Sequence, residues 1–223
     1  MNASIIKLKE DIVQIGRSLL EKGLVAGTWG NISARIPDSS LIAVTPSGKN
    51  YYDIVADDII IVNSDGIIVE GKFKPSSELP LHLTIYHARI DIQAIVHTHS
   101  IFASACAVAH KSIPPIIEDL IQLNNGGVDV AGYALPGTEI LAQNVVKALG
   151  NKKAVLMANH GMVGCGQSLQ EAMMACELVE KSAQIYIYAN QIGGAQMLSD
   201  KDIHIMHDFY ATYYRNRQQG RNL

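Results

Sequence analysis

Apolar positions recur along this chain with two periods, and the switches between them mark the elements. Ile5, Leu8, Ile12, Ile15 and Leu19 repeat every three or four residues, which predicts an amphipathic helix closing at Gly23. "GTWGNISARI" reads as four loop residues followed by a strand, and "LIAVTPSG" as a strand running into a turn at Pro46–Gly48. "DDIIIVNSDGIIVEG" holds two β-branched runs around Asn63-Ser64-Asp65-Gly66, the pattern of a hairpin. In "KPSSELPLHLTIYHARI" the period returns to helical, with Leu79, Leu83, Tyr86 and Ile90 on one face, Ser76 or Ser77 as cap and Pro80 in the first turn.

Further on, "AIVH" predicts a short buried strand, "SIFASACAVAH" a small-residue helix, "GTEILAQNVVKALG" a helix between Thr138 and Gly150, and "KAVLMANHG" another buried strand. A Ser168-to-Glu171 capping box opens a long helix ending on two glycines, and "SDKDIHIMHDFYATYYRNR" predicts a last one. No repeat or long linker interrupts this order, so one domain over residues 1–223 is expected. A hairpin without strict βαβ alternation argues for a largely antiparallel or mixed sheet with helices on its faces, and neither nucleotide-binding glycine fingerprint is present.

Composition narrows the partners. The 223 residues are 48% apolar and 17% charged, with a mean hydropathy of +0.12, a globular balance that points to subunit contacts. The net charge of −3, with no basic run before Arg215, Arg217 and Arg221, argues against nucleic acid. No apolar stretch reaches the ~18 residues of a membrane span, and the first residues lack a signal-peptide core. Three cysteines, Cys106, Cys165 and Cys176, without C-x-x-C spacing indicate neither a disulfide framework nor a thiolate zinc site, so a reducing cytoplasm is expected.

Two sets of residues carry candidate chemistry. His97 and His99 stand at i and i+2, so an extended chain turns both imidazoles to one face. With His160 at a second strand end and Glu78 as a carboxylate, they would form a metal site with an open position; the alternative is polar side chains turned to solvent. Three loops, Gly30-Asn31, Ser47-Gly48 and Ser76-Ser77, combine small residues with free N–H groups, which suits an anion only if they converge. His82, His87, His110, His204 and His207 read as surface or packing histidines.

"GTWGNISARI", "AVTPSGKNY", "KPSSELPLH", "AIVHTHS", "YALPGT" and "MANHGMV" occur here in an order and spacing that resemble the class II aldolase/adducin family, most of all its L-fuculose-1-phosphate aldolase branch. The likeness spans about Leu20 to Ile192, with an echo in "LSDKDI…ATYY". It implies a three-layer α/β/α fold with a predominantly antiparallel central sheet, and a homotetramer with active sites at subunit boundaries. It also implies a divalent metal, Zn2+ or another such as Mn2+ or Co2+, on His97, His99, His160 and Glu78. A phosphate pocket is implied at Gly30, Asn31, Ser47, Gly48, Ser76 and Ser77, with Thr28 beside it. The C-terminal segment, about 195–223, would reach a neighbouring subunit's site and bring a tyrosine, best matched by Tyr213, with Tyr214 and Tyr210 in reserve.

The implied reaction is aldol cleavage of a ketose 1-phosphate to dihydroxyacetone phosphate and a small aldehyde. The metal would stabilise the charge released by the C3–C4 bond, and Glu78 would move the proton at C3. Two positions depart from the pattern. Glu118-Asp119 stand where the aldolases carry a tyrosine, which makes Glu118 a third catalytic candidate, and Pro136 replaces an aromatic. An acid near Glu118 also has precedents in methylthioribulose-1-phosphate dehydratases and, as aspartate, in pentulose-5-phosphate 4-epimerases. "SSE" rather than "SSD" speaks against the epimerases. A 5-deoxypentulose-1-phosphate aldolase and a non-catalytic adducin-like module complete the alternatives. The four retained ligands speak against the module.

Overall fold

The computed structural model describes residues 3–214, without the side chains of residues 213 and 214. One eight-stranded sheet organises them: β1 (Asn31–Arg35), β2 (Ile42–Val44), β3 (Ile60–Val62), β4 (Ile68–Glu70), β5 (Ala94–Thr98), β6 (Val130–Ala131), β7 (Ala154–Met157) and β8 (Gly161–Gly166). Their spatial order is β4-β3-β2-β1-β5-β8-β7-β6, and every pairing is antiparallel except that of β6 with β7. The described residues form seven α-helices: α1 (Ala3–Glu21), α2 (Leu79–Ala88), α3 (Ile101–Val108), α4 (Glu118–Asn124), α5 (Glu139–Leu149), α6 (Leu169–Gln191) and α7 (Asp200–Phe209). The fold is therefore α/β with a mixed, mostly antiparallel sheet.

Alternate strand residues feed two apolar clusters, as a two-sided sheet requires. Ile32, Ala43, Ile61, Val96 and Met162 pack with α1, α3 and α6. Ile42, Ile60, Ile95, Val155 and Val163 pack with α2 and α5. The cap predicted at Ser168 forms, its hydroxyl accepting the Glu171 N–H, and Thr138, expected only as a helix boundary, caps α5 in the same way by accepting the Leu141 N–H. The hairpin turn is held by Asn63 Oδ1, which accepts from the N–H groups of Asp65 and Ile67.

Three features differ from expectation. Helix α2 stops at Ala88, leaving Ile90 80% exposed beyond its end; Leu81, His82 and Ile85 fill the buried face instead. "GMVGCG" forms β8, a fully buried strand in the middle of the sheet. At Gly164 an added Cβ would lie 2.6 Å from both the Ala172 carbonyl and Cys176 Sγ, so α6 crosses directly on the strand backbone. Helix α4 forms within "SIPPIIEDLIQLNNGG", ending on Asn125 in the left-handed conformation.

The strand order brings loops from distant parts of the sequence to one end of the sheet. The start of β1 pairs with the end of β5 (Asn31 with His97), and the end of β5 with the start of β8 (Thr98 with Met162). The 76–78 segment joins through hydrogen bonds between Ser47 N and Lys74 O, 3.0 Å, and between Ser76 N and Thr45 O, 3.1 Å.

Candidate functional site

His97 is the last-but-one residue of β5, fully buried, and its Nδ1–H donates to the Met162 carbonyl at 2.8 Å. That bond fixes the tautomer and leaves the Nε2 lone pair facing outward. His99 follows one residue past the strand, with its Nε2 2.8 Å from His97 Nε2. His160 sits in the turn between β7 and β8, just before Gly161. A Cβ at Gly161 would meet the Thr98 carbonyl at 2.4 Å and press on the rings of His97 and His99, so only glycine lets the turn come this close.

Glu78 is the residue before the first turn of α2 and is 7% exposed. Its Oε2 accepts from Asn31 Nδ2 at 2.8 Å and lies 3.0 Å from His97 Nε2. Its Oε1 faces His160 Nε2 at 3.3 Å and receives no hydrogen bond among the described residues. Donors sharing one ion at about 2.1 Å stand roughly 3.0–3.4 Å apart, close to these separations. Three imidazoles whose ligand atoms lie within 4.8 Å of one another, beside a buried carboxylate with an unsatisfied oxygen, fit a divalent cation.

The electrostatics agree. Burial and the neighbouring His97 charge lower His99 to about 3, and the same two causes lower His160 to about 4. Both are therefore neutral at pH 7, the form that binds metal. Burial works against ionising Glu78, but His97, His160 and Asn31 outweigh it and hold the carboxyl well below the usual range. Burial likewise opposes charge on His97, while Glu78 raises it above the ordinary histidine value. A divalent cation held on His97 Nε2 and Glu78 would take the place of the proton this pair shares.

A cleft of about 290 Å³ opens beside these residues, lined by Thr28 to Asn31, Pro46 to Gly48, Ser76 to Glu78, His99, His160 and Pro136. All six residues expected around a phosphate, Gly30, Asn31, Ser47, Gly48, Ser76 and Ser77, therefore meet on one cleft with Glu78 and two of the histidines. Thr28 lines it too. Ser76 Oγ accepts from the N–H of Glu78 at 3.2 Å, which ties the serine loop to the carboxylate.

Other expectations fall elsewhere. Glu118 is exposed at the first residue of α4, and Asp119 pairs with Lys181 at 2.5 Å; neither lines this cleft. Tyr210 is buried against its own chain with Leu123 and Ala175. Tyr213 and Tyr214 lie in the π-helical segment Tyr210–Tyr214 after α7, their side chains outside the described residues, as is the tail from 215 with Arg215, Arg217 and Arg221. Trp29 had no expected role; it is 65% exposed on the cleft wall, its ring 5.7 Å from that of His99. An aromatic between two glycines of a loop was the available signal.

Residues 10–187 match the model of the class II aldolase and adducin N-terminal domain, and the chain belongs to that family. It is a class II aldolase, a lyase. It is 38% identical over 197 residues to a 5-deoxy-D-ribulose 1-phosphate aldolase of Bacillus thuringiensis, covering 88% of this chain and 92% of that protein. It is 34% identical over 208 residues to the L-fuculose phosphate aldolase of Escherichia coli K12, covering 93% and 95%. A solved L-fuculose 1-phosphate aldolase superimposes with a TM-score of 0.89 at 36% identity, over 92% of this chain and 96% of that one.

Proposed function

We propose that the chain catalyses reversible aldol cleavage of a deoxyketose 1-phosphate, of the L-fuculose or 5-deoxypentulose kind, to dihydroxyacetone phosphate and a small aldehyde. The observation that carries this is the single cleft shared by the histidine–carboxylate cluster and the three loops of Gly30-Asn31, Ser47-Gly48 and Ser76-Ser77. Zinc, or Mn2+ or Co2+, is the proposed ion, held by His97, His99, His160 and Glu78. When bound it supplies a Lewis acid for the charge that develops at the ketone as the C3–C4 bond breaks.

The chain's own residues do the rest. Ser76, Ser77, Ser47 and the N–H groups around Gly30 and Gly48 hold the phosphate, so its binding energy fixes the position of C3. In the synthetic direction the Glu78 carboxylate takes the C3 proton of dihydroxyacetone phosphate; in cleavage the same proton returns to C3. Tyr213 of a neighbouring subunit is the proposed partner for the proton on the C4 oxygen. Glu118 is proposed to act at a neighbouring site, since it is exposed and does not line the cleft of its own chain. Trp29 and Pro136 add apolar lining to the cleft, which suits an aldehyde with a deoxy end.

The same proposal takes residues 1–223 as one three-layer α/β/α domain, supported by the apolar clusters on alternate strand positions. It is taken as a cytoplasmic homotetramer with about 195–223 reaching the next subunit; no described helix is long and apolar enough to cross a membrane. The test offers dihydroxyacetone phosphate with a panel of small aldehydes and, separately, methylthioribulose 1-phosphate, with products read by NMR. A new carbon–carbon bond is expected. Loss of water from methylthioribulose 1-phosphate without any aldehyde chemistry would overturn the proposal in favour of a dehydratase.

A further inference from the structure

Behind Glu78, one stripe of α2 meets one face of β1 through polar groups alone. Glu78, His82 and Tyr86 are spaced four residues apart on the helix; Asn31, Ser33 and Arg35 are spaced two apart on the strand. The rungs match in order. Asn31 Nδ2 donates to Glu78 Oε2 at 2.8 Å, Ser33 Oγ and His82 Nδ1 share a hydrogen bond at 2.6 Å, and Ser33 Oγ and Tyr86 Oη share another at 2.9 Å. Arg35 closes the ladder, donating to the Tyr86 carbonyl at 2.6 Å with its guanidinium 4.6 Å from the ring centre.

This ladder lies inside an otherwise apolar contact, in which Leu79, Leu81, Leu83 and Ile85 are the other buried residues of α2. His82 and Ser33 are both 0% exposed, and His82 Nε2 has no partner among the described residues. A leucine of similar volume would remove that unsatisfied nitrogen and leave Ser33 Oγ its bond to Tyr86 Oη, so no buried polar group would lose its last partner. Stability therefore does not explain the imidazole. Geometry does: apolar surfaces let a helix slide or rotate on a strand, whereas a hydrogen bond tolerates little change of distance or angle. His82 is one turn beyond Glu78, and its N–H donates to the Glu78 carbonyl at 3.3 Å, so whatever fixes His82 on β1 fixes the carboxylate.

We infer that His82 is a positioning residue, holding α2 on β1 through Ser33 so that the Glu78 carboxylate faces the three imidazoles. This rests on Glu78 acting with those imidazoles as proposed above.

The test measures Zn2+ affinity by competition with a chromophoric chelator, alongside thermal unfolding of the metal-free chain. For His82→Leu the affinity is expected to fall about 10–100-fold, the range for residues that orient metal ligands, while the metal-free chain melts at the same temperature or higher. His82→Asn, which keeps a hydrogen-bonding atom for Ser33, is expected to recover most of the loss. Wild-type affinity in a folded His82→Leu chain overturns the inference, as does a loss that merely follows a lowered melting temperature. Should His82→Leu fail to fold, Ser33→Ala decides in the same way: reduced affinity is expected, and wild-type affinity overturns the inference. A wild-type chain that binds zinc but joins no aldehyde to dihydroxyacetone phosphate removes the aldolase proposal and leaves the role of His82 standing. A wild-type chain that binds no zinc overturns both.

Discussion

The two walls of the cleft are built on opposite plans. On one, Glu78 and three imidazoles are mostly buried, stand at strand ends and a helix start, and crowd together with ligand atoms the protein does not satisfy. On the other, Ser47, Gly48 and Ser77 are exposed on turns and offer hydroxyls and backbone N–H groups open to solvent. The first wall concentrates like-directed donors that need a cation to share them. The second is a set of ordinary turns that becomes an anion site only by adjacency. The difference implies that single substitutions on the first wall abolish function, while those on the second weaken it by degrees.

The sharpest contrast is expected from His97→Ala. Loss of one of the four proposed ligands, the one buried deepest, should remove bound metal and lower turnover on the order of 10³-fold or more, checked by elemental analysis and initial rates. Glu78→Gln comes next. It preserves shape but not charge, and removing a general base costs about 10²–10⁴ in rate; a kcat close to wild type would place the base elsewhere. On the opposite wall, Ser76→Ala and Ser77→Ala each delete one hydrogen bond to a charged group, worth about 1.5–3 kcal/mol. A rise in KM of roughly 10–100-fold with little change in kcat is expected from steady-state kinetics.

The last effect concerns pH and stability rather than turnover. Burial lowers His82 to about 3, against about 6.5 in an unfolded chain. Between those values the unfolded state binds a proton that the fold refuses, so stability falls as pH falls, by up to about 1.4 kcal/mol per pH unit for this group. His82→Asn should flatten the acid limb of a denaturation-versus-pH series for the metal-free chain by that amount. An unchanged slope would mean that His82 titrates normally.

The halves of the molecule also differ in how far the sequence exposes them. Amphipathic α1, the Asn63–Gly66 hairpin, helix α5 and the capped start of α6 follow from local periodicity and turn chemistry, and they form as expected. The strand β8 does not, because "GMVGCG" lacks the β-branched residues that mark strands; its glycines answer to α6 pressing on the backbone, a tertiary requirement. The candidate ligands were legible as residue types at strand ends. Their meeting was not, since it depends on β1, β5, β8 and β7 lying side by side. The His82–Ser33 rung was invisible for the same reason, and Trp29 showed only as a loop aromatic between glycines: each acquires a role from what the fold places against it.

The most direct measurement is the metal content of the wild-type chain, purified without chelator, followed through removal and return of the ion. One divalent cation per chain is expected, with cleavage of a deoxyketose 1-phosphate lost on chelation and restored by Zn2+, Mn2+ or Co2+. Metal well below one equivalent, or full activity retained in the presence of chelator, would contradict a centre built from His97, His99, His160 and Glu78.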